Sequence, residues 1–278
     1  QRNPVGAYGI LKGGAWKYVG FLGVAAGFII LSFYSVVAGW AIAYIFKSVS
    51  GLLATSDPAA LGALFKNFTA DPWEPILYHG IFMALTVAVI IGGVNGGIER
   101  TSKILMPLLF LLLVVLAVRS LTLPGAVAGL KFYLAPDFSK VTGATLNGAL
   151  SQAFFSLSLG MGALMTYGSY LSRSVNLIKT TMLITLCDTA VAFLAGLVIL
   201  PAVFAFSFDP SAGPGLVFIT LPAVFAKMPL GIVFAVLFFV LLSIAALTSS
   251  VSLLEVVVAY FVDERGWQRR RAATIDGG

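Results

Sequence analysis

The sequence predicts an all-α, polytopic membrane protein, and three observations lead there. Hydrophobic residues make up 59% of the 278 and charged ones only 10%, with a mean hydropathy of +1.01. No water-soluble core of this length needs so much apolar sequence. Six stretches, near 17–46, 73–97, 102–123, 146–171, 177–206 and 229–262, supply the ~20 helical residues that a ~30 Å hydrocarbon core requires. Basic residues gather in alternate connections, the pattern that orients helices in a bilayer.

Composition also excludes. One cysteine, Cys187, permits no internal disulfide, and one histidine, His79, makes a histidine-based metal site or a serine–histidine triad implausible. A net charge of +6 would suggest nucleic acid in a soluble domain. Distributed between loops it marks orientation instead, so no nucleic-acid partner is expected. The chain starts at Gln1 without a basic segment followed by an apolar one. It shows no signal peptide and reads as a piece of a longer protein.

The first, fifth and sixth stretches exceed the minimum, so they should tilt or project. Tyr34, in the first, carries a phenolic group at membrane depth that needs a partner, and helix packing with an interhelical bond would satisfy it. The connection 48–72 reads as a polar external loop, and 96–101 as a short charged turn between neighbouring helices. Arg119 should snorkel near the end of the third stretch. The external loop 122–145 contains Ala135-Pro136-Asp137, a turn signal.

The fourth stretch is apolar but a poor helix, because Ser156, Ser158, Gly160 and Gly162 crowd into seven residues. Each glycine costs roughly 1 kcal/mol relative to alanine. A helix broken near 156–162 is therefore expected. Lipid cannot satisfy the freed backbone groups, so the break must face protein, ions or water. A binding site meets that condition, and so does a tightly packed small-residue interface.

Asp188 falls inside the fifth stretch, where an ionised carboxylate costs about 2.5 to 3.5 kcal/mol at the bilayer centre. It suits a cation, or, protonated, a bond to a neighbouring helix. The loop 207–228 opens with turn residues from Asp209 to Gly215 and continues with an apolar run, 216–225, too short to span. That run should form short helices, either re-entrant over an external vestibule or resting on the membrane surface. The sixth stretch carries Ala245-Ala246-Leu247-Thr248-Ser249-Ser250. Hydroxyls and carbonyls without full negative charge fit a monovalent cation better than calcium. Glu255 reads as a second buried carboxylate, or as one beside a water-accessible inner pathway.

Eleven basic residues (Arg2, Lys12, Lys17, Arg100, Lys103, Arg173, Lys179, Arg265, Arg269, Arg270, Arg271) share one side, against Lys47, Lys66, Arg119, Lys131, Lys140 and Lys227 opposite. Both ends of the chain are expected to be cytoplasmic, in a cell membrane.

Five motifs carry a resemblance: Phe-Phe-Ser-Leu-Ser-Leu-Gly-Met-Gly-Ala at 154–163, Thr-Tyr-Gly-Ser-Tyr at 166–170, Ala-Leu-Thr-Ser-Ser at 246–250, Gly-Gly-Ile-Glu-Arg at 96–100 and Phe-Ile-Thr-Leu-Pro-Ala at 218–223. Together they resemble the neurotransmitter:sodium symporter family, above all its bacterial amino-acid transporters of the leucine-transporter inverted-repeat fold. Broken helices meeting a solute at the bilayer midplane are a known feature of that fold. The six stretches resemble the family's third to eighth helices; its first helix and those after the eighth have no counterpart here.

The resemblance implies the site. Ser156 and Asp188 would hold one sodium ion beside the substrate carboxylate, and the Ala245 carbonyl with the Thr248 and Ser249 hydroxyls would hold a second. Tyr34 would hydrogen-bond the carboxylate. Ile30, Ser158, Met161, Ser249 and Leu253 would line the side-chain pocket, and Phe155 would close the outer gate. Tyr170 and Asp263 match inner-gate positions. Many members have asparagine where Asp188 aligns, and Ala192 aligns with a serine of chloride-dependent relatives; the implied transport is chloride-independent. A slip of one residue would put Cys187 at that position, a poor sodium ligand.

The expected activity is sodium-coupled symport of apolar, bulky amino acids by alternating access, with lipid and the missing helices as partners and no organic cofactor. A non-transporting amino-acid-binding scaffold of the same fold is the alternative, and an ion channel a more distant one. No nucleophile–base pair suggests an enzyme.

Overall fold

Two long helices cross at the centre of the molecule, and glycines let them meet. The computed structural model describes residues 2–208 and 215–277. Helix α1 (Pro4–Leu11) precedes α2 (Lys17–Val49), which buries Gly20, Gly23 and Gly27 along one side. A methyl group on Gly27 would lie 3.5 Å from the Met161 carbonyl oxygen and 3.8 Å from that of Leu253. Leu253 belongs to the 35-residue helix that packs most extensively on α2; labelled below as α11, it runs Gly231–Arg265. Further along α2, Gly39 receives α4 (Glu74–Ile91): a Cβ there would come 2.7 Å from the His79 backbone nitrogen. Between them in sequence, α3 (Pro58–Ala70) is started by Asp57, whose carboxylate accepts the Ala59 N–H at 2.9 Å.

The stretch read from sequence as a polar loop, 48–72, therefore holds a helix. Its apolar side buries Leu61 and Phe68 while polar residues face outward, a periodicity that a short window hides among small residues. The turn expected at 96–101 also moves. Chain reversal falls at Gly92 and Gly93, with Gly93 in a left-handed conformation (φ 77°), and Val94–Glu99 winds as a π-helical turn directly into α5 (Arg100–Leu121). Gly97 allows this, since a Cβ on it would sit 2.0 Å from the Val89 carbonyl.

Helix α6 (Ala126–Leu134) packs on α9 (Leu177–Ala205), and α5 packs on α9 as well. The fourth apolar stretch is two helices, α7 (Gly143–Ser156) and α8 (Ala163–Tyr170). Thr142 starts α7 with a reciprocal cap to Thr145. By length and composition, five helical segments among the described residues are long and apolar enough to cross a membrane. Divided in this way, the fourth stretch is not among them.

At the end of the bundle opposite α1, the run after Gly215 forms a π-helical turn (Leu216–Thr220) and α10 (Leu221–Ala226). The residues 209–214 of the preceding turn lie outside the described residues. The run does not rest on a surface. Phe218 is 2% exposed and Leu221, Ala223 and Val224 are fully buried. Phe218 stacks on Phe65 at 5.5 Å and meets Trp40, Tyr44 and Phe239 within 6.2 Å. A decamer that is apolar but for Thr220 gains more from this core than from an interface, at about 1.5–3 kcal/mol per large side chain buried. Helix α12 (Arg269–Asp276) closes the chain against α11 and α4.

Candidate functional site

The break between α7 and α8 is built by backbone that only glycine adopts readily. Gly160 (φ 82°) and Gly162 (φ 78°) are left-handed, and so is Ser158 (φ 54°), where a side chain makes the conformation costly. The Leu159 N–H reaches back to the Phe154 carbonyl at 2.9 Å, ending α7. At the other side, Gly162 starts α8 with no side-chain cap. The first-turn N–H groups of α8 thus form a small positive pole at the break.

Across from it stands Asp188 on α9. The Ser156 hydroxyl donates to Asp188 Oδ2 at 2.6 Å, so the one carboxylate of the fifth stretch points at the end of α7. Asp188 is half-buried, whereas its neighbour Cys187 is exposed. The geometry brings Asp188 into the site rather than the thiol.

These groups wall a cavity of about 230 Å³. Ile30 and Tyr34 come from α2, Phe155 and Ser156 from α7, Ser158 and Met161 from the break, and Ser249 and Leu253 from α11. The Tyr34 and Ser249 hydroxyls face each other. All seven residues that the resemblance named for the substrate are therefore gathered, together with Ser156 and Asp188. One further lining residue, Gln152, escaped the sequence reading. Its signal was present: a carboxamide one turn before Ser156 in an otherwise apolar run shares that residue's helix face.

Ala245 and Thr248 do not line this cavity. Thr248 Oγ1 donates to the Ala245 carbonyl at 2.9 Å, so carbonyl and hydroxyl oxygens lie side by side within one turn of α11. Among the described residues, no cluster of three or more His, Cys, Asp or Glu side chains is assembled. The side-chain oxygens lining the cavity are the hydroxyls of Tyr34, Ser156, Ser158 and Ser249, the Gln152 carboxamide and the Asp188 carboxylate.

The two inner-gate candidates also stand apart. Asp263 accepts the Asn3 backbone N–H at 2.9 Å. Tyr170 donates its hydroxyl to Glu255 Oε1, whose other oxygen pairs with Arg269. Glu255 is fully buried, which favours the buried of its two readings over the water-accessible one. Arg269 also donates from Nε to the Ile90 carbonyl at 2.8 Å, and a desolvated carboxylate needs such a neutralising partner. No spacing within α11 could have announced it, because the partner comes from α12.

A helical bundle with a helix interrupted beside a carboxylate and several hydroxyls is the arrangement found in membrane transporters of the broken-helix class. Residues 74–275 match the model of the sodium:neurotransmitter symporter family, and the chain belongs to that family. That family is one of transporters, not of enzymes, and the chain is accordingly a multi-pass membrane protein. It is 46% identical over 260 residues to an uncharacterized sodium-dependent transporter of Bacillus subtilis, YhdH, covering 93% of this chain and 58% of that protein. Identity to a sodium-dependent transporter of Haemophilus influenzae is 42% over 265 residues, covering 94% of this chain and 58% of the relative. The structure superposes on that of MhsT in complex with L-phenylalanine with a TM-score of 0.90 and 49% identity, over 99% of this chain and 63% of that one. The chain thus spans a little under two thirds of the relatives it matches.

Proposed function

We propose that this chain is the ion- and substrate-binding part of a sodium-coupled amino-acid symporter working by alternating access. The observation that carries the reading is the convergence of Ser156, Asp188 and Tyr34 on one cavity at a helix break. An amino acid brings one charge of each sign, and the break offers opposite poles. The start of α8 and the Tyr34 hydroxyl favour its carboxylate, while Asp188 with Ser156 attracts a sodium ion that touches the same carboxylate. Ion and substrate then strengthen each other's binding by the same factor.

A second sodium would sit on the Ala245 carbonyl and the Thr248 and Ser249 hydroxyls. Phe155 is the outer gate; Tyr170 and Asp263 belong to the inner one. Ile30, Ser158, Met161, Ser249 and Leu253 face the side chain, and an adaptable methionine between glycines favours apolar, bulky amino acids. The Asp188 charge makes transport independent of chloride. Both ends of the chain are cytoplasmic and the six stretches cross the cell membrane, the fourth as two half-helices. The kinship with MhsT, solved with L-phenylalanine, supports the substrate class.

The test is uptake of labelled phenylalanine, leucine, glutamate and lysine by proteoliposomes holding the full-length transporter. Uptake of the first two, driven by an inward sodium gradient and unchanged when gluconate replaces chloride, is expected. Sodium-dependent binding without uptake would instead indicate a receptor-like scaffold, and preference for glutamate or lysine would overturn the substrate assignment.

A further inference from the structure

The first turn of α1 touches two parts of the molecule that sequence places far apart. Asn3 is 1% exposed and uses all its polar groups. Its Oδ1 accepts the Val5 and Gly6 N–H groups at 2.8 and 3.2 Å, which caps α1. Its backbone N–H donates to Asp263 Oδ2 at 2.9 Å and its Nδ2 to Glu264 Oε1 at 2.9 Å, with a longer contact of 3.5 Å to Asp263. Two adjacent carboxylates in the last turn of α11 oppose that helix's dipole, and these donors offset the cost. The seat is tight, since a methyl on Gly6 would lie 2.7 Å from Glu264 Oε1.

The next residue faces the break. Pro4 is buried, and a methyl on Gly162 would come 2.9 Å from its Cγ. Gly162 is the left-handed residue on which α8 begins. Pro4 also seals onto α2, where a methyl on Gly20 would meet its carbonyl oxygen at 2.5 Å. A cavity of about 210 Å³ lies alongside, lined by Pro4, Gly162, Leu164 and their neighbours.

We propose that the Asn3–Pro4 turn is a coupling element: Asn3 positions the Asp263 carboxylate while Pro4 wedges the α8 hinge, so opening at one requires movement at the other. Asn3 and Pro4 are positioning residues, and the proposal rests on the reading of Asp263 as a gate residue. The warrant is a two-residue bridge, fixed by hydrogen bonds at one end and by close packing at the other, between the carboxylate read as a gate and the glycine on which α8 begins.

The test uses the full-length transporter in nanodiscs, its other cysteines replaced, with Leu164→Cys as reporter beside the cavity. Its labelling rate by a charged thiol reagent is measured in sodium, next to uptake and melting temperature. Asn3→Asp keeps the helix cap but loses the side-chain donor; Pro4→Ala keeps Asn3 but loses the wedge. Both are expected to label about threefold faster or more and to slow uptake; Pro4→Ala should do so with little change in melting temperature, whereas the carboxylate repulsion added by Asn3→Asp lowers it as well. Gly6→Ala, which displaces Glu264 while keeping the capping N–H of residue 6, should follow them if Asn3→Asp does not fold. Wild-type labelling in Asn3→Asp with impairment only in Asn3→Ala would reduce Asn3 to a helix cap and overturn the coupling, as would Pro4→Ala without effect. Wild-type protein lacking sodium-driven uptake would count against the transport reading, while the labelling comparison still judges the bridge.

Discussion

Ser156 and Asp188, thirty-two residues apart, share a 2.6 Å hydrogen bond at the point where α7 ends. The hydroxyl is the donor, so the Asp188 oxygens keep lone pairs directed at the break. At an effective dielectric of about 20 a unit charge 4 Å away contributes about 4 kcal/mol. Asp188→Asn should therefore weaken sodium binding by about tenfold or more, read as the sodium dependence of labelled amino-acid binding. It should also make that binding respond to chloride. Unchanged sodium affinity would remove Asp188 from the ion site.

The Glu255–Arg269 pair holds α12 on α11 from a fully buried position. Removing one partner of such a pair leaves a desolvated charge. Arg269→Met should cost about 3 kcal/mol, visible in a thermal melt, and Glu255→Gln combined with Arg269→Met should recover most of it. Equal losses in the single and double variants would show that no ion pair is at stake.

Phe218 fills a socket of four aromatic rings, those of Trp40, Tyr44, Phe65 and Phe239. Phe218→Ala should cost about 3–5 kcal/mol and Phe218→Leu clearly less, because the cost follows the cavity left behind. Chemical denaturation of the two variants separates them. Similar midpoints would mean that the segment is held by its backbone instead.

Gly162→Ala meets two obstacles, a left-handed φ of 78° and Pro4 Cγ at 2.9 Å. The conformational part alone is about 1–2 kcal/mol. Stability should fall by at least that amount, while Gly168→Ala, with open space around its Cβ position, should be tolerated.

Asp71 lies at the start of α4, where its carboxylate accepts the Trp73 and Glu74 N–H groups at 2.7 Å each. Those backbone donors hold its pKa below the ordinary carboxylate value. A depressed folded-state pKa contributes stability that is present above the unfolded value of about 3.9 and is lost as pH falls through the folded one. Melting temperature should therefore drop less steeply in acid for Asp71→Asn than for the parent. Identical slopes from pH 5 to pH 2.5 would deny the carboxylate this role (about 4 being the ordinary midpoint).

Much of this protein was legible in order of residues alone. Helix position follows from apolar runs and caps, which are local, so five long helices and the interruption at Ser156–Gly162 could be placed before any packing was known. The resemblance carried by the motifs also named nine of the ten residues around the cavity. What the tertiary structure decided is which distant groups meet. Burial of the run 216–226, the pairing of Glu255 with Arg269, the grip of Asn3 on Asp263 and the place of Gln152 all depend on partners from other helices. Periodicity reports which face of a helix is apolar, but the identity of the surface opposite is a property of how the helices cross, and the glycines that permit those crossings gain meaning only from the backbone they touch.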